Sequence, residues 1–362
     1  MDSMQGLRRR IDLLDDRLMG LLNARAKVVH AVYALKLKHS RASGAPVQAF
    51  VPGRESEILR RLSAKKSGPF PADGIAPVFR EIISACRSLE MLPRISYFGA
   101  PGSNTHQAAL NCFGSGAEFL SQADIHGVFE DVEQGRADYG LVPVENSTEG
   151  VINRTLDILS ESDLKVCSEV SLPIRNLLLS RGTMKAVRTV VSHPQPLAQC
   201  RLWLAAHLPK ARQVTADSTS AAAERAAQDR GGATAAIASE LALRLYKPLK
   251  ALARDIQDKS DNTTRFFVVG RTLARPTGRD KTSVMLSVQD KVGALAAVLK
   301  PFERHKVNLT AIESRPSRRK AWDYYFFVDF HGHQEEPKVR RLLADLSRQV
   351  AQMKVLGSYP AA

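Results

Sequence analysis

Residues 5–39 carry an apolar stripe that no proline interrupts. Leu7, Ile11, Leu14, Leu18, Leu21, Leu22, Val28, Val29, Val32 and Leu35 recur at helical spacing, which predicts one amphipathic helix with Gly6 and Gly20 as its weak points. At 1.5 Å per residue that helix is about 50 Å long. Turn signals follow within Ser40–Pro52, namely Ser43-Gly44-Ala45-Pro46 and Val51-Pro52-Gly53. Two shorter helical patterns come next, Arg54–Ala64 and Ile75–Met91, the second through Val78, Ile82, Ile83 and Leu89. Two helices this short cannot cover the first. The uncovered stripe predicts an intertwined helical dimer in which the long helix packs on its twin.

Leu92-Pro93 reads as a hinge that closes a helical domain over 1–92. Residues 94–272 alternate short apolar runs with helical patterns, the signature of an α/β domain. Its strand candidates are Ile95–Phe98, Gly140–Val144, Val187–Ser192, Ala235–Ala238 and Phe266–Gly270. A polar linker, LARPTGRD, occupies 273–280. The last domain, 281–358, reads strand, helix, strand, strand, helix, strand. Its segments are Thr282–Val288, Ala294–Arg304, Val307–Ser314, Trp322–Phe330, Pro337–Ala351 and Met353–Leu356. That order is a ferredoxin-like split βαβ sandwich, an α+β fold.

The chain has 362 residues and a net charge of +15. Residues 1–66 hold 14 Lys and Arg against 6 Asp and Glu, spread through helical pattern and not gathered in a tail. There is no aromatic interleaving for base stacking and no zinc-finger spacing, so anionic metabolites fit the charge at least as well as nucleic acid. No apolar run is long enough to span a bilayer, and the first residues, MDSMQGLRRRIDLLDD, lack a secretory apolar core. The expectation is a cytoplasmic protein with reduced thiols at Cys86, Cys112, Cys167 and Cys200, bound neither to membrane nor to nucleic acid, with no metal and no cofactor. Walker, GxGxxG and GxSxG motifs are absent from the sequence.

The densest polar motif is PVENSTEG, Pro143–Gly150, where a carboxylate, an amide and two hydroxyls follow one another. A helical pattern follows through Ile152, Leu156 and Leu159, so the motif reads either as an ordinary helix cap or as a carboxylate-binding site at a helix start. Three further stretches place polar groups at element junctions: Ser192-His193-Pro194-Gln195, Asp217-Ser218-Thr219-Ser220 and Asn262-Thr263-Thr264-Arg265-Phe266. On the long helix Arg25, Val29, Val32 and Lys36 share one face, and from spacing alone the two cations read as snorkelling side chains.

Residues 7–90 resemble the AroQ class of chorismate mutases, an all-α intertwined dimer. The match runs through LRRRIDLLDDRLMGLLNAR, PGRESEILRRL and VFREIISACRSLE. The resemblance implies chorismate contacts at Arg8, Arg25, Lys36, Val51, Arg54, Glu55, Cys86 and Glu90, with Arg8 reaching the partner subunit's site and Val51 acting through its backbone. The rearrangement to prephenate is intramolecular, so cations need only clamp two carboxylates and stabilise charge on the breaking ether oxygen. Lys36 and Glu90 are the implied catalytic pair.

Residues 94–272 resemble prephenate dehydratases, through YFGAPGSNTHQAAL, LVPVENSTEGVINRTLDIL, VSHPQPLAQCRLWL and IQDKSDNTTRFFVVG. This implies two α/β lobes of the periplasmic-binding type and a prephenate site at Ser103, Thr105, Asn146, Ser147, Thr148, Thr264, Arg265 and Phe266. Thr264 would be the donor that helps hydroxide leave, and Arg265 would organise the site or bind a carboxylate. Two departures stand out: GSNTHQA puts Asn104 where relatives have an aromatic, and PIRNLLL lacks a His-Asn pair. The pair GAL and ESRP resembles the ACT domain, which implies phenylalanine as an effector at Gly293, Ala294, Leu295, Glu313, Ser314, Arg315 and Pro316. The implied whole is a bifunctional enzyme of phenylalanine biosynthesis, a homodimer or higher homo-oligomer. The non-catalytic alternatives are an ACT-bearing small-molecule regulator and a solute-binding protein.

Glu90 stands where many mutases of this class have Gln, and an ionised carboxylate would repel the developing charge on the ether oxygen. Mutase activity is therefore expected to fall as pH rises, and Glu90→Gln to flatten the profile. A pH–rate series on both proteins checks this; a variant profile as steep as the parent's would overturn the role given to Glu90.

Overall fold

The computed structural model describes residues 3–44, 47–48, 50–65, 68–288, 291–316 and 324–362. The turn residues Ala45 and Pro46, and the start of the expected strand at Trp322, lie outside them. The chain divides into two compact units, Met1–Pro93 with Phe113–Glu118, and Arg94–Cys112 with Phe119–Ala362.

In the first unit, α1 (Met4–Ser43) is longer at both ends than the apolar stripe. Ser3 caps it by accepting from the Gly6 N–H (3.1 Å), and Gly44, at φ 70°, ends it in a left-handed turn. The helices α2 (Pro52–Ser63) and α3 (Ala72–Ser88) follow, with Pro52 at the first position of α2, where its missing N–H costs nothing. The stripe on α1 stays uncovered within one chain: Ile11, Leu14, Leu18, Leu21, Val28 and Leu35 are each more than half exposed. No described helix is long and apolar enough to cross a membrane.

The second unit begins with β1 (Arg94–Phe98), α4 (Asn104–Phe113), β2 (Glu118–Gln122), α5 (Ile125–Glu133), β3 (Tyr139–Asn146), β4 (Gly150–Val151), α6 (Asn153–Glu161) and β5 (Lys165–Pro173). The chain then builds a second sheet from β6 (Leu177–Ser180), β7 (Thr189–Ser192), β8 (Arg212–Thr215), β9 (Thr234–Ala238) and β10 (Lys250–Ala253). The helices α7 (Pro194–Gln199), α8 (Arg201–His207), α9 (Thr219–Gln228) and α10 (Glu240–Leu245) join these strands. It returns through β11 (Thr263–Gly270) to the first sheet, whose order is β2-β1-β3-β11-β5, with β4 on β3; the second is β10-β6-β9-β7-β8. The two lobes are thus connected twice, by β5 to β6 and by β10 to β11.

The expected Val187–Ser192 strand starts only at Thr189, after a 3-10 turn over Met184–Ala186. The helix after PVENSTEG starts at Asn153, with no side-chain cap. Asn146, Ser147 and Thr148 therefore cap no helix, and the helix-start reading of the motif gives way to a strand end and a turn.

The last part holds β12 (Asp280–Val288), α11 (Ala294–Arg304), β13 (Leu309–Pro316), β14 (Tyr324–His331), α12 (Pro337–Ser347) and β15 (Gln352–Pro360). Its sheet runs β13-β14-β12-β15. Strand alternation splits its faces. Val284, Leu286, Val328 and Phe330 pack with Val298, Phe302 and Leu342 on the two helices. Met285, Tyr325 and Phe327 join Val142, Val144, Phe267 and Val269 of the first sheet in one core.

One charged group is buried at that junction. Glu169 on β5 has a side chain 1% exposed, and meets Arg265 Nε (2.7 Å) and Lys281 Nζ (2.8 Å). Burial pushes its carboxyl up, but Arg265 and Lys281 outweigh burial and hold it below the usual carboxylate value of 4.5. The stability it contributes is fully present above that value and is lost as pH falls through the lowered folded one. Glu169→Gln is expected to destabilise the second unit by about 3 kcal/mol at neutral pH, because two cations lose a buried partner, and to remove part of the acid sensitivity. Both tryptophans fall after residue 200, so urea unfolding followed by tryptophan fluorescence at pH 7 and pH 4 reads this unit.

Candidate functional sites

In the first unit, one cavity of about 500 Å³ empty volume is lined by Arg25, Lys36, Val51, Arg54, Glu55, Cys86, Arg87 and Glu90, with apolar Val29, Ile58 and Ile83. Seven of the eight sequence candidates thus share one wall-to-wall space drawn from α1, α2 and the end of α3. Arg8 is the exception. It lies 17 positions before Arg25 on the same helix, about 25 Å along its axis.

The charges in this cavity are partly self-satisfied. Lys36 Nζ donates to Glu90 Oε2 (3.2 Å). Glu55 accepts from Arg87 Nη1 (2.6 Å). Burial pushes the Glu55 carboxyl above its usual range, with Arg87 pulling the other way. Val51 lines the cavity, and its carbonyl accepts from the Glu55 N–H (3.1 Å) as the first hydrogen bond of α2. Among the described residues, Arg25 Nη1 is buried with no hydrogen-bond partner. A buried guanidinium nitrogen without an acceptor is costly unless an anion completes it.

Arg87 escaped the sequence reading. It is 4% exposed, donates to the Phe113 carbonyl, and its guanidinium lies 5.3 Å from the Phe50 ring centre and 5.8 Å from that of Phe113. Nothing in the pattern of α3 marks it, since it occupies a basic last-turn position common to many helices.

In the second unit the PVENSTEG motif is built around Asn146, the last residue of β3. Its amide oxygen accepts from Thr148 Oγ1 (2.6 Å), Thr148 N (3.0 Å) and Glu149 N (3.2 Å), which closes the turn. Its amide nitrogen donates to Thr264 Oγ1 (2.8 Å) and Asn262 Oδ1 (3.0 Å). Thr264 stands opposite Asn146 in the β3–β11 register. An accepting hydroxyl has its own proton directed elsewhere and donates it more strongly. Ser147 is used by the backbone: its N–H donates to the Thr263 carbonyl (2.9 Å) and its Oγ accepts from the Thr263 N–H (3.0 Å).

A cavity of about 660 Å³ empty volume opens beside this cluster, lined by Thr148, Glu149, Gln199, Asp258, Lys259 and Asn262. Gln199 reaches it from the second lobe, accepting from Asn262 Nδ2 (3.2 Å) and donating to Thr148 Oγ1 (3.5 Å). Gln199 and Lys259 were both missed from sequence, although they stand inside stretches that carry the family resemblance.

Other candidates are placed differently. Ser103 caps α4 by accepting from the His106 N–H (3.2 Å), and Thr105 is buried in its first turn. Their loop is tied to the second lobe by Ser239 Oγ donating to the Gly102 carbonyl (2.7 Å). His106 stacks on Tyr97 at 4.7 Å, and burial holds its ring below the usual histidine range, neutral and accepting from the Gly102 N–H (3.2 Å). His193 and Ser218 are helix caps, accepting from Gln195 N and Ala221 N. Phe266 is 1% exposed and packs in the core.

Arg265 faces away from Asn146. Its Nε donates to Glu169 (2.7 Å), one Nη to Asp329 Oδ2 (2.6 Å) and the other to the Tyr359 hydroxyl (3.1 Å). A guanidinium so occupied has no free fork for a small carboxylate. Burial opposes its charge, and Asp329 with the other neighbours more than restores it.

On the last sheet Pro316 and Val288 both pair with Tyr324, so the ESRP end of β13 and the turn into α11 at Gly293 share one end of the sheet. Gly293 has φ 79° and caps α11, with open space at its Cβ position. Leu295 is partly exposed and Ser314 and Pro316 are exposed, whereas Arg315 is engaged with Asp157 on α6 (2.7 Å).

Three family models match in chain order: chorismate mutase type II over residues 7–91, prephenate dehydratase over 95–273 and the ACT domain over 282–348. The chain is 45% identical to the bifunctional chorismate mutase/prephenate dehydratase of Aquifex aeolicus, covering 100% of this chain and 99% of that one. It is 41% identical to the protein of the same description from Pseudomonas aeruginosa, over 100% and 98%. Among solved structures, a prephenate dehydratase from Arthrobacter aurescens in complex with L-Phe is 35% identical over 74% of this chain and 90% of that one, with a TM-score of 0.69.

Proposed function

The chain belongs to the family of bifunctional chorismate mutase/prephenate dehydratases, and on that premise we propose how its residues carry the two reactions. It is an isomerase and a carbon–oxygen lyase: it converts chorismate to prephenate, then prephenate to phenylpyruvate, CO₂ and water, under feedback by L-phenylalanine. The domains are taken as 1–92, 94–272 and 281–358, in a cytoplasmic homodimer or higher homo-oligomer. The exposed stripe on α1 supports the dimer, since burying it restores an ordinary apolar contact.

Chorismate binds in the cavity of the first unit. Arg25 takes one carboxylate, the reading supported by its partnerless buried Nη1. Arg54 and Arg8 of the partner subunit supply further cationic contacts. Lys36 and Glu90 face the ether oxygen, Lys36 stabilising the charge that develops there and Glu90 donating when protonated. Glu55, held by Arg87, borders the ring, and Val51 and Cys86 complete the wall. The rest of the acceleration comes from holding the compact conformer.

Prephenate is held beside Asn146 and Thr148, with Ser147 shaping the turn and Ser103 and Thr105 bounding the site, while Phe266, packed in the core, supports β11 and does not touch the substrate. The Thr264 hydroxyl hydrogen-bonds the departing ring oxygen as an oriented donor and keeps its proton, so that hydroxide leaves, to become water with a proton from solvent, as the carboxylate leaves as CO₂ and the ring becomes aromatic. The single observation that supports this is the Asn146 amide donating to Thr264 Oγ1 at 2.8 Å, because a hydroxyl that accepts there keeps its own proton for another acceptor. Lys259, the cation lining the cavity, is suited to a substrate carboxylate, and Arg265 organises the strand. Phenylalanine is read at Gly293, Ala294, Leu295, Glu313, Ser314, Arg315 and Pro316.

Purified protein given chorismate is expected to accumulate prephenate transiently and then phenylpyruvate. Thr264→Ala should stop the second step, by at least about 100-fold in kcat, while prephenate still forms at the parent rate; loss of both steps together would argue against separate sites. For the effector, calorimetry of the intact chain with L-phenylalanine should show saturable heat, and its absence would remove the regulatory reading.

A further inference from the structure

The Thr-Arg-Phe segment is one word in sequence and two sides of a strand in space. Thr264 points to Asn146, and Arg265 points to the C-terminal sheet. The acceptors around the Arg265 guanidinium come from both sheets. Glu169 belongs to β5, while Asp329 is on β14 and Tyr359 on β15. Glu145 lies farther off, at 3.8 Å. Asp329 is held in turn: its Oδ1 accepts from Ser283 Oγ on β12, and Ser283 also bonds the Tyr359 hydroxyl (2.6 Å). Lys281, on the same strand, meets Glu169. Two cations and two buried carboxylates therefore close a cluster in which the C-terminal sheet supplies Asp329, Ser283, Tyr359 and Lys281.

This cluster sits at an irregular point of the ladder. The β3–β11 register shifts between Arg265 and Phe266, where β3 carries one extra residue, while β11 keeps unbroken register with β5 from Thr263 to Val268. At that shift Arg265 adds a side-chain anchor to the C-terminal sheet. The guanidinium also lies 4.8 Å over the Phe267 ring, which holds the strand on the far side of the shift.

We propose that Asp329 is a positioning residue for the dehydratase reaction: by gripping Arg265 from the C-terminal sheet, it sets β11 so that the Thr264 hydroxyl meets the Asn146 amide. Asp329 touches neither substrate nor the reacting atoms, and it acts through Arg265. The inference rests on Thr264 being the dehydratase donor. It makes the C-terminal sheet a structural part of the dehydratase site, not only a receptor for an effector.

The test is Asp329→Asn in the full chain, with Asp329→Glu and Ser283→Ala beside it. Asparagine keeps the size and one acceptor but loses the charge that pairs with Arg265. Dehydratase kcat should fall about tenfold, as expected for a small displacement of a donor, with KM for prephenate within twofold and chorismate mutase activity unchanged. Asp329→Glu should recover part of the loss, and Ser283→Ala, which frees one oxygen of Asp329 without changing charge, should show a smaller drop in the same direction. If Asp329→Asn does not fold, Ser283→Ala carries the test. Unchanged kcat in a folded Asp329→Asn protein, with only a lower urea midpoint, would overturn the proposal and leave Asp329 as an interdomain tie. A parent enzyme that makes no phenylpyruvate would instead overturn the dehydratase reading itself.

Discussion

The antiparallel pairing of β3 with β11 is the constraint on which the second unit depends. The two strands are more than 110 residues apart in the chain, and everything between β5 and β11 is the second lobe. Antiparallel alignment puts the first residues of β11 beside the last residues of β3, so Thr264 falls opposite Asn146. In a parallel arrangement the start of β11 would lie at the other end of the sheet, and the motif after β3 would have no threonine to address. The loop closure needed for this pairing is long, but its entropy grows slowly with length. What offsets it is burial: Val142, Val144, Phe267 and Val269 of these two strands enter one core with Phe327 and Tyr359. The site is thus a by-product of the core beneath it, and the same strands that exclude water also set the geometry.

Much of this was legible in the residues. The long stripe on α1, the βαββαβ order at the end of the chain and five strands of the α/β region follow from apolar periodicity, which is a direct image of burial. What escaped has several causes. The strands β2 and β8 are half-exposed and rich in polar residues, so their alternation is diluted, whereas β6 (LLLS, fully buried) and β10 (KALA) are too short to show a period. β5 is mostly buried but carries Glu169, a carboxylate that looks like a solvent residue until Arg265 and Lys281 are brought to it from about 100 positions away. Arg87 was hidden for the same reason: its partners Glu55 and the Phe113 carbonyl lie 32 and 26 positions distant. Local patterns report what a residue avoids, which is water or strain. They do not report a charge whose desolvation is answered by a distant partner.

The two candidate sites would meet an anionic substrate by different means. In the first unit the cations come from helices. Lys36 and Arg87 are paired with Glu90 and Glu55, while Arg25 Nη1 and Arg87 Nε are buried with no hydrogen-bond partner among the described residues. A rearrangement that moves no proton needs little more than charge held in place. In the second unit the polar groups beside the cavity are mostly amides and hydroxyls, and they are bonded into a ring through Asn146, Thr148, Gln199 and Asn262. A reaction that expels hydroxide needs a proton aimed at one atom, and an ordered amide network aims a hydroxyl better than a diffuse positive field does.

The period of a β-strand then explains why a site motif of three consecutive residues need not have three residues in the site. Side chains alternate at a period of two, so of Thr264, Arg265 and Phe266 the middle one must leave by the opposite face. There it meets Asp329 and Glu169 in place of solvent. An exposed arginine at that position would leave Asp329 without its ion-pair partner and Glu169 with Lys281 alone, and a neutral residue would do the same. Arginine is favoured over lysine because three acceptors from three strands, Glu169, Asp329 and Tyr359, converge on it, and a planar fork can answer all three at once. The requirement for Arg265 is therefore set by the junction of two sheets, whereas the role proposed for Thr264 belongs to the chemistry next door, and the backbone between them is a single peptide bond.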